Sequence, residues 1–206
     1  MIDPTIYIDY LGTFAFAISG IRSAEGKNFD LFGAYIVGLV TAIGGGTLRD
    51  LFLGVTPFWM VQPSYLIITG IALAASVLFY NATIHLRKTM ILFDAIGLGL
   101  FVVVGIEKTL QLGFPFWVAI VMGMITGSVG GVIRDVLVNE VPLLFRRDIY
   151  ALACAAGGVV YALCYYFDVS LPVTRLAAAG TVIATRLIAL RYNVQLPEFK
   201  GRTKPG

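Results

Sequence analysis

The chain has 206 residues, of which 58% are hydrophobic and only 13% are charged. Charged residues make up roughly 25% of an ordinary soluble domain, so this composition excludes a soluble globular protein and indicates a membrane protein. The net charge of +3 comes from basic residues scattered between apolar stretches, which is not the pattern of a nucleic-acid-binding surface. We therefore expect the lipid bilayer, and no nucleic acid, as a partner.

Seven apolar stretches are long enough to be membrane spans, each of which needs roughly 20 mostly apolar residues. They cover residues 6–24, 29–53, 63–83, 90–107, 115–138, 149–167 and 173–192. Short loops separate them, and residues 193–206 form a polar tail that we expect to be disordered. The sequence therefore predicts an all-α membrane protein with seven transmembrane helices and no soluble domain.

The loops predict the orientation of these spans, because Lys and Arg concentrate on the cytoplasmic side of a membrane. With the N-terminus outside, only Lys108 and Arg175 fall on the outer side. The inner loops and the tail then hold the larger basic set: Arg22, Lys27, Arg87, Lys88, Arg146, Arg147, Arg191, Lys200, Arg202 and Lys204. We therefore expect an outside N-terminus and a cytoplasmic C-terminus.

The two halves of the chain align without a gap when the sequence is shifted by 85 residues. Matched residues include Asp9 with Asp94, Arg49 and Asp50 with Arg134 and Asp135, and Pro57 with Pro142. Residues 1–84 are thus a first three-helix repeat and residues 85–170 a second, followed by a seventh helix over 171–192 and the tail over 193–206. Two units with an odd number of spans must have opposite membrane orientations. Such inverted repeats are typical of transporters whose pathway lies at the repeat interface, although a duplication kept only for packing is the alternative.

Runs of glycine interrupt spans 2 and 5, which are helices 2 and 5 of the predicted fold. The residues concerned are Gly44, Gly45 and Gly46 in span 2 and Gly130 and Gly131 in span 5. Each interior glycine costs a helix roughly 1 kcal/mol relative to alanine, and broken backbone at membrane depth must meet protein or water. We therefore expect helices 2 and 5 to be kinked there, beside a polar pore interior. The alternative is that these glycines only allow close helix packing, because small residues recur every four positions in both spans.

Polar and charged residues within the spans are the candidate pathway residues. The expected pore-lining side chains are Thr41, Thr126 and Ser128, and the expected electrostatic or ion-pair residues are Asp9, Arg49, Asp50, Asp94, Arg134, Asp135 and Arg186. A charge facing lipid costs at least about 2.5–3.5 kcal/mol, so these charges should face the protein interior.

The ion pairs should form between spans. Adjacent Arg and Asp residues point in different directions on a helix and should pair poorly with each other. The repeat therefore predicts pairs of Asp9 with Arg49 and of Asp94 with Arg134. Purely structural ion pairs are the alternative to a pathway role, and Arg186 could instead snorkel to the inner surface.

We find no sequence motif for catalysis and expect neither an enzyme nor a cofactor. The sequence has no nucleotide-binding loop, no metal-ligand cluster and no nucleophile–base pair at a recognisable spacing. His85 is the only histidine and lies in a basic loop, and Cys154 and Cys164 lie in an apolar stretch where packing explains them.

The duplicated Gly-Gly-x-x-Arg-Asp motif, in two three-span units followed by a seventh span, resembles the trimeric intracellular cation (TRIC) channel family, in its prokaryotic branch. The resemblance covers about residues 5–192, with Val129 where the first copy has Gly44. It implies a homotrimer in the inner membrane of a prokaryote, with one pathway in each protomer for potassium and other monovalent cations. Sequences of this type are also described as glycine transporters, so a secondary transporter of glycine or a similar small zwitterion is the alternative. A membrane scaffold that transports nothing is a third hypothesis.

Overall fold

In a computed structural model, residues 5–79 and 86–197 are described, without the side chains of residues 86–88. The described residues contain eight α-helices: α1 Thr5–Ala24, α2 Leu31–Phe52, α3 Phe58–Val61, α4 Ser64–Leu78, α5 Leu86–Gln111, α6 Phe116–Leu137, α7 Ala151–Tyr166 and α8 Leu171–Arg191. A 3-10 turn, Leu143–Phe145, precedes α7. The predicted all-helical fold is therefore confirmed.

Each predicted span overlaps one of the longer helices, whereas α3 and the 3-10 turn were not predicted. Among the described residues, four helical segments are long and apolar enough to cross a membrane: α2, α5 from Thr89, α6 and α8. Helices α4 and α7 are apolar but shorter. The number of membrane crossings stays a prediction.

Local sequence signals determine where α2 and α6 begin and end. Asp30 caps α2, and its Oδ1 accepts a hydrogen bond from the Gly33 N–H at 2.6 Å. Pro115 precedes the first residue of α6. After the two helices the backbone turns through positive φ, at Gly54 (φ 70°) and at Asn139 (φ 56°), which are residue types that tolerate this conformation. Gly54 and Asn139 are 85 residues apart.

Helices α1 and α5 pack against each other at the centre of the bundle. The rings of Phe16 and Phe101 meet edge to face with their centroids 5.0 Å apart. Gly12 faces the Phe101 ring, and Gly97 faces the Phe16 ring, so a Cβ at either glycine would collide with the opposite ring. These four residues form two pairs separated by 85 residues, and they make matching contacts.

Helices α2 and α6 cross in direct backbone contact at the glycine motifs. A Cβ on Gly45 would collide with the Thr126 carbonyl oxygen, and a Cβ on Gly130 would collide with the Thr41 carbonyl oxygen. The partner number on α6 falls as the number on α2 rises, so the two helices run antiparallel.

The expected break at the glycines is not present as an unwound segment. Helix α2 continues through Gly44, Gly45 and Gly46, and α6 continues through Gly130 and Gly131. The physical reason is that the missing side chains allow the two backbones to touch, and this contact needs regular helices. A bend that keeps the helical hydrogen bonds stays a prediction.

The described part of the tail, residues 193–197, is ordered against the protein, contrary to the expectation of disorder. Val194 N–H donates to the Ala189 carbonyl at 2.9 Å, and Leu196 N–H donates to the Arg147 carbonyl at 2.8 Å. Gln195 also forms an isolated antiparallel bridge with Asp148. Residues 198–206 and His85 lie outside the described residues.

Candidate functional site

The buried charges form two clusters at the C-terminal ends of α2 and α6. We call Asp9, Arg49, Asp50, Tyr65 and Lys108 the first cluster, and Ser19, Asp94, Arg134, Asp135 and Tyr150 the second cluster. Arg49, Asp50, Arg134, Asp135 and Asp94 are all buried. Their burial confines these charges to the protein interior, where each needs a partner.

Arginine and aspartate that are adjacent in the chain do pair with each other, so the contrary expectation was wrong. Arg49 Nε donates to Asp50 Oδ1 at 2.8 Å, and Arg134 Nε donates to Asp135 Oδ1 at 2.9 Å. The long arginine stem lets the guanidinium fold back over the neighbouring side chain. The Cβ directions alone therefore did not predict the partner.

The second oxygen of each motif aspartate holds the segment that follows the helix. Asp50 Oδ2 accepts the Phe58 N–H at 3.0 Å, and Asp135 Oδ2 accepts the Leu143 N–H at 2.8 Å. Phe58 begins α3, and Leu143 begins the 3-10 turn. Each aspartate thus joins an arginine to the short turn that covers the end of its helix.

The two predicted pairs between helices have different outcomes. Arg134 Nη1 contacts Asp94 Oδ1 at 2.5 Å and also donates to Ser19 Oγ at 2.6 Å. Among the described residues, by contrast, the ion pair of Arg49 is with Asp50 and none joins it to Asp9. The Arg49 guanidinium instead lies 5.7 Å from the centre of the Phe58 ring.

A tyrosine supports the remaining aspartate in each cluster. Tyr65 OH donates to Asp9 Oδ2 at 2.6 Å, and Tyr150 OH donates to Asp94 Oδ1 at 3.3 Å. Both tyrosines are almost fully buried. They are 85 residues apart, as are the two aspartates, so the same pair recurs in both halves.

A lysine covers the first cluster. Lys108 Nζ lies 2.8 Å from Asp50 Oδ2 and 5.8 Å from the centre of the Phe58 ring. The lysine side chain is 29% exposed, whereas the Asp50 side chain is fully buried. Lys108 therefore stands between Asp50 and the solvent.

The second cluster adjoins an open cavity. This cavity has a volume of about 390 Å³, and Asp135 lies in its wall together with Ser23, Lys27 and Glu140. Lys27 Nζ pairs with Glu140 Oε1 at 2.7 Å near the rim, and this hydrogen bond lowers the pKa of the Glu140 carboxyl. Ser23 stands 85 residues before Lys108, so the second cluster has no lysine at the equivalent position.

The predicted pore-lining hydroxyls bond to their own helices. Thr41 Oγ1 donates to the Val37 carbonyl, and Thr126 Oγ1 donates to the Met122 carbonyl, both at 2.6 Å. Ser128 Oγ likewise donates to the Met124 carbonyl at 2.6 Å. All three residues are buried. They lie in the section of α2 and α6 between the two clusters.

Glycines among the small residues that recur every four positions in α2 and α6 also serve packing inside the protomer; we call these two rows, Ala34 to Gly46 and Ala119 to Gly131, the small-residue stripes. Gly38 faces Ile21 of α1, Gly123 faces Ile106 of α5, and Gly46 faces the Phe58 ring. Gly131 faces the Tyr150 hydroxyl, with Asp94 Oδ1 at 3.5 Å from the position that its Cβ would take. The stripes are therefore occupied within one chain.

Arg186 does not snorkel to the surface. It is buried, with 1% of its surface exposed, and its guanidinium carbon lies 4.7 Å from the centre of the Tyr150 ring. Its Nη1 donates to the Ile149 carbonyl at 3.2 Å. Of the two alternatives considered for this residue, only a place inside the protein remains.

Comparison with known proteins identifies the family. A family model described as "Glycine transporter" matches residues 6–81 and 91–166. The UPF0126 inner membrane protein YadS of Escherichia coli is 39% identical over 196 residues, covering 94% of this chain and 95% of YadS.

Two solved structures agree with this assignment. The TRIC trimeric intracellular cation channel orthologue from Rhodobacter sphaeroides has a TM-score of 0.87 at 33% identity, over 92% of this chain and 98% of that one. A prokaryotic TRIC channel studied in 0.5 M KCl has a TM-score of 0.86 at 28% identity, over 95% of this chain and 100% of that one. The chain belongs to the prokaryotic branch of the TRIC family. The predicted resemblance is confirmed, and the protein is a prokaryotic membrane protein.

Several contacts in this TRIC-family chain were missed by the sequence analysis. Tyr65 and Tyr150 occur at the 85-residue shift and could have been found from it, because the tyrosine recurs at the same shift as Asp9 and Asp94. Lys108 and Ser19 could not, because the shift pairs them with Ser23 and Val104, and neither replacement preserves the chemistry. Only the folded structure identifies these two as partners of the clusters.

Proposed function

We propose that the protein is a cation channel, permeable to potassium, with one pathway inside each protomer of a homotrimer. The pathway runs along the antiparallel pair α2 and α6, from one charged cluster to the other. Support at the level of the channel family comes from the TRIC structures, which are ion channels and not enzymes.

The observation that carries the proposal is the pair of buried Arg–Asp clusters at opposite ends of the α2–α6 crossing. From the contacts of Gly45 with Thr126 and of Gly130 with Thr41, Arg134 lies level with residue 37 of α2. Arg49 is then 12 residues away, or about 18 Å at 1.5 Å per residue. Ionisable residues inside membrane helices are costly, and they characteristically mark ion or substrate pathways.

Between the clusters, α2 and α6 must move apart for an ion to pass. Gly45 and Gly130 touch the opposite backbone, so this conformation represents a closed pathway. Glycine contacts are suited to such a movement, because they involve no interlocked side chains. The buried hydroxyls of Thr41, Thr126 and Ser128 and the helix carbonyls would then face the ion.

Access differs at the two ends. At the first cluster, Lys108 occupies the position next to Asp50 that an arriving cation would take. At the second cluster, Asp135 borders the open cavity. Each carboxylate also partly neutralises its arginine, which would otherwise repel a cation.

The proposed function includes an inverted repeat, a homotrimer and an outside N-terminus. The two matches of the family model begin and end 85 residues apart, which supports two three-helix repeats in opposite orientations followed by a seventh helix. The Rhodobacter sphaeroides orthologue is described as trimeric, which supports a homotrimer. The loop charges support an outside N-terminus, so that the second cluster faces the cytoplasm.

Flux into liposomes tests this function. Purified protein in liposomes is expected to release potassium down its gradient in response to voltage, without any organic substrate. Saturable uptake of glycine with no potassium permeability would contradict the channel, and the absence of both fluxes would favour a scaffold.

A transporter of glycine or a similar zwitterion is the second candidate, and one observation favours it. Asp94 Oδ2 and Arg134 Nη2 are buried without a hydrogen-bond partner. A carboxylate and an acceptor-free guanidinium edge side by side suit the ammonium and the carboxylate of an amino acid. In that case Asp94→Asn and Arg134→Gln would abolish glycine uptake, and potassium flux would be absent in the parent protein.

A further inference from the structure

A further cavity lies between α8 and the loop that joins α6 to α7, and it shares Met90, Leu143 and Arg146 with the cavity at the second cluster. Its volume is about 360 Å³, and Arg146, Arg147 and Arg186 line it together with Asp148. Three guanidinium groups against one carboxylate give its wall a net positive charge. We call this cavity the Arg186 pocket.

Arg186 lines this pocket and has unused hydrogen-bond donors. Its Nη1 donates to the Ile149 carbonyl, but Nε and Nη2 are buried with no hydrogen-bond partner. Nε and Nη2 form one edge of the guanidinium, which is the edge that binds two oxygens of a phosphate or a carboxylate in parallel. Leaving both donors unpaired at a buried position is costly, so an anion there would remove a penalty that the empty pocket carries.

Arg146 and Arg147 differ from Arg186 in their contacts and in their exposure. Arg146 Nε donates to the Val141 carbonyl at 2.7 Å, and its Nη2 lies 3.4 Å from Glu140 Oε2. Arg147 is exposed, and its carbonyl anchors Leu196. These two side chains add positive charge to the lining, whereas Arg186 is the buried arginine among the three.

The C-terminal segment completes the pocket. The bridge between Asp148 and Gln195 fixes this segment along the loop, and Gln195 Nε2 donates to Asn193 Oδ1 at 3.2 Å. Asn193 and Gln195 both line the cavity. Met90 and Leu190 add apolar side chains to the lining. The lining therefore combines basic side chains with apolar ones.

We propose that the Arg186 pocket binds a phosphate group, carried either by an anionic phospholipid at the membrane surface or by a soluble phosphate. Two phosphate oxygens bind Nε and Nη2 of Arg186, and the remaining charge faces Arg146 and Arg147. This binding does not depend on whether the protein conducts cations, so the proposed function and the pocket can fail separately.

Thermal unfolding in an uncharged detergent tests the pocket, with sodium phosphate compared with sodium chloride at equal ionic strength. A ligand that binds only the folded state raises the unfolding midpoint, by roughly 5 °C or more at a hundredfold excess over its dissociation constant. A second arm compares vesicles of phosphatidylglycerol with vesicles of phosphatidylcholine. A shift with free phosphate identifies the soluble source, and a shift only with phosphatidylglycerol identifies the lipid source.

Three variants locate the effect. Arg186→Met keeps a stem over the Tyr150 ring but loses the donors, so the shift should disappear. Arg191→Met removes an exposed arginine at the end of the same helix and should retain the full shift. If Arg186→Met does not fold, Arg147→Gln should still reduce the shift relative to Arg191→Met. The proposal is overturned if neither phosphate source stabilises the parent, if folded Arg186→Met keeps the shift, or if Arg147→Gln and Arg191→Met respond like the parent.

Discussion

The first and second clusters share most of their contacts but differ in which charged residue gains an additional partner. In each, an arginine folds back onto the next aspartate, which also accepts the first N–H of the following turn. In each, a tyrosine donates to an aspartate of the first helix of that half. The shared parts are those that hold the end of a helix in place.

The differences arise at positions that the repeat no longer preserves. Ser19 gives Arg134 a second partner beside Asp94. The residue equivalent to Ser19 in the second half is Val104, which cannot bond to Arg49 in the same way. Lys108 neutralises Asp50, whereas its equivalent is Ser23. The arginine of the second cluster therefore gains a partner that Arg49 lacks, and the aspartate of the first cluster gains a partner that Asp135 lacks. These two positions give the ends of the α2–α6 pair different electrostatics.

The largest expected effect comes from removing the arginine on which the second cluster depends. Arg134→Met leaves Asp94 and Asp135 buried without their cation, and it should lower the free energy of unfolding by about 3–5 kcal/mol. Arg49→Met should cost less, on the order of 1–2 kcal/mol, because Asp50 keeps Lys108 and the Phe58 N–H. Denaturant unfolding in detergent measures both losses. Equal losses would contradict the difference between the clusters.

A double variant checks that this loss comes from the charge. Asp94→Asn in the Arg134→Met background removes one of the two uncompensated carboxylates, so it should recover part of the lost stability. A double-mutant cycle over the two positions gives their coupling energy. A coupling near zero would mean that Asp94 and Arg134 act independently.

The next effect concerns the backbone contact that both halves share. Gly45→Ala and Gly130→Ala each drive a methyl group into a carbonyl of the opposite helix, and each should cost about 1–3 kcal/mol through overpacking. Gly70→Ala is the matched control, since nothing lies within 4 Å of its Cβ position. It should be neutral or stabilising by up to about 1 kcal/mol, because alanine favours a helix. If all three variants had the same unfolding midpoint, close contact of α2 with α6 would be wrong.

The smallest expected effect is a pH dependence near the second cluster. Lys27 lowers the pKa of Glu140, so this pair stabilises the folded state above the usual pKa of a glutamate and stops doing so as the pH falls through the lowered value. Between neutral and acidic pH, the parent should lose slightly more of its unfolding midpoint than Glu140→Gln does. Identical pH profiles would show that the exposed pair contributes nothing.

The sequence predicted most of the fold, because long apolar stretches are a strong signal and the 85-residue shift relates distant parts of the chain. It also identified Asp94 and Arg134 as neighbours. It did not predict that Arg49 would pair with Asp50, because rotamers of a long side chain do not follow from helical position. The expected kink at Gly44, Gly45 and Gly46 is not present as an unwound segment for a related reason, since a glycine run permits backbone contact as readily as it permits a break.

Potassium flux through Lys108→Gln tests the central claim most directly. Removing a positive charge within about 4 Å of a passing cation removes about 1 kcal/mol of repulsion even at the dielectric constant of water, which corresponds to roughly fivefold faster flux. In liposomes of one composition, Lys108→Gln should therefore conduct potassium at least that much faster than the parent, and Arg191→Gln should match the parent. Ser23→Lys, which places a lysine at the equivalent position of the second half, should slow the flux. If Lys108→Gln conducts no faster than the parent while remaining folded, Lys108 does not close the first cluster and the pathway does not pass Asp50.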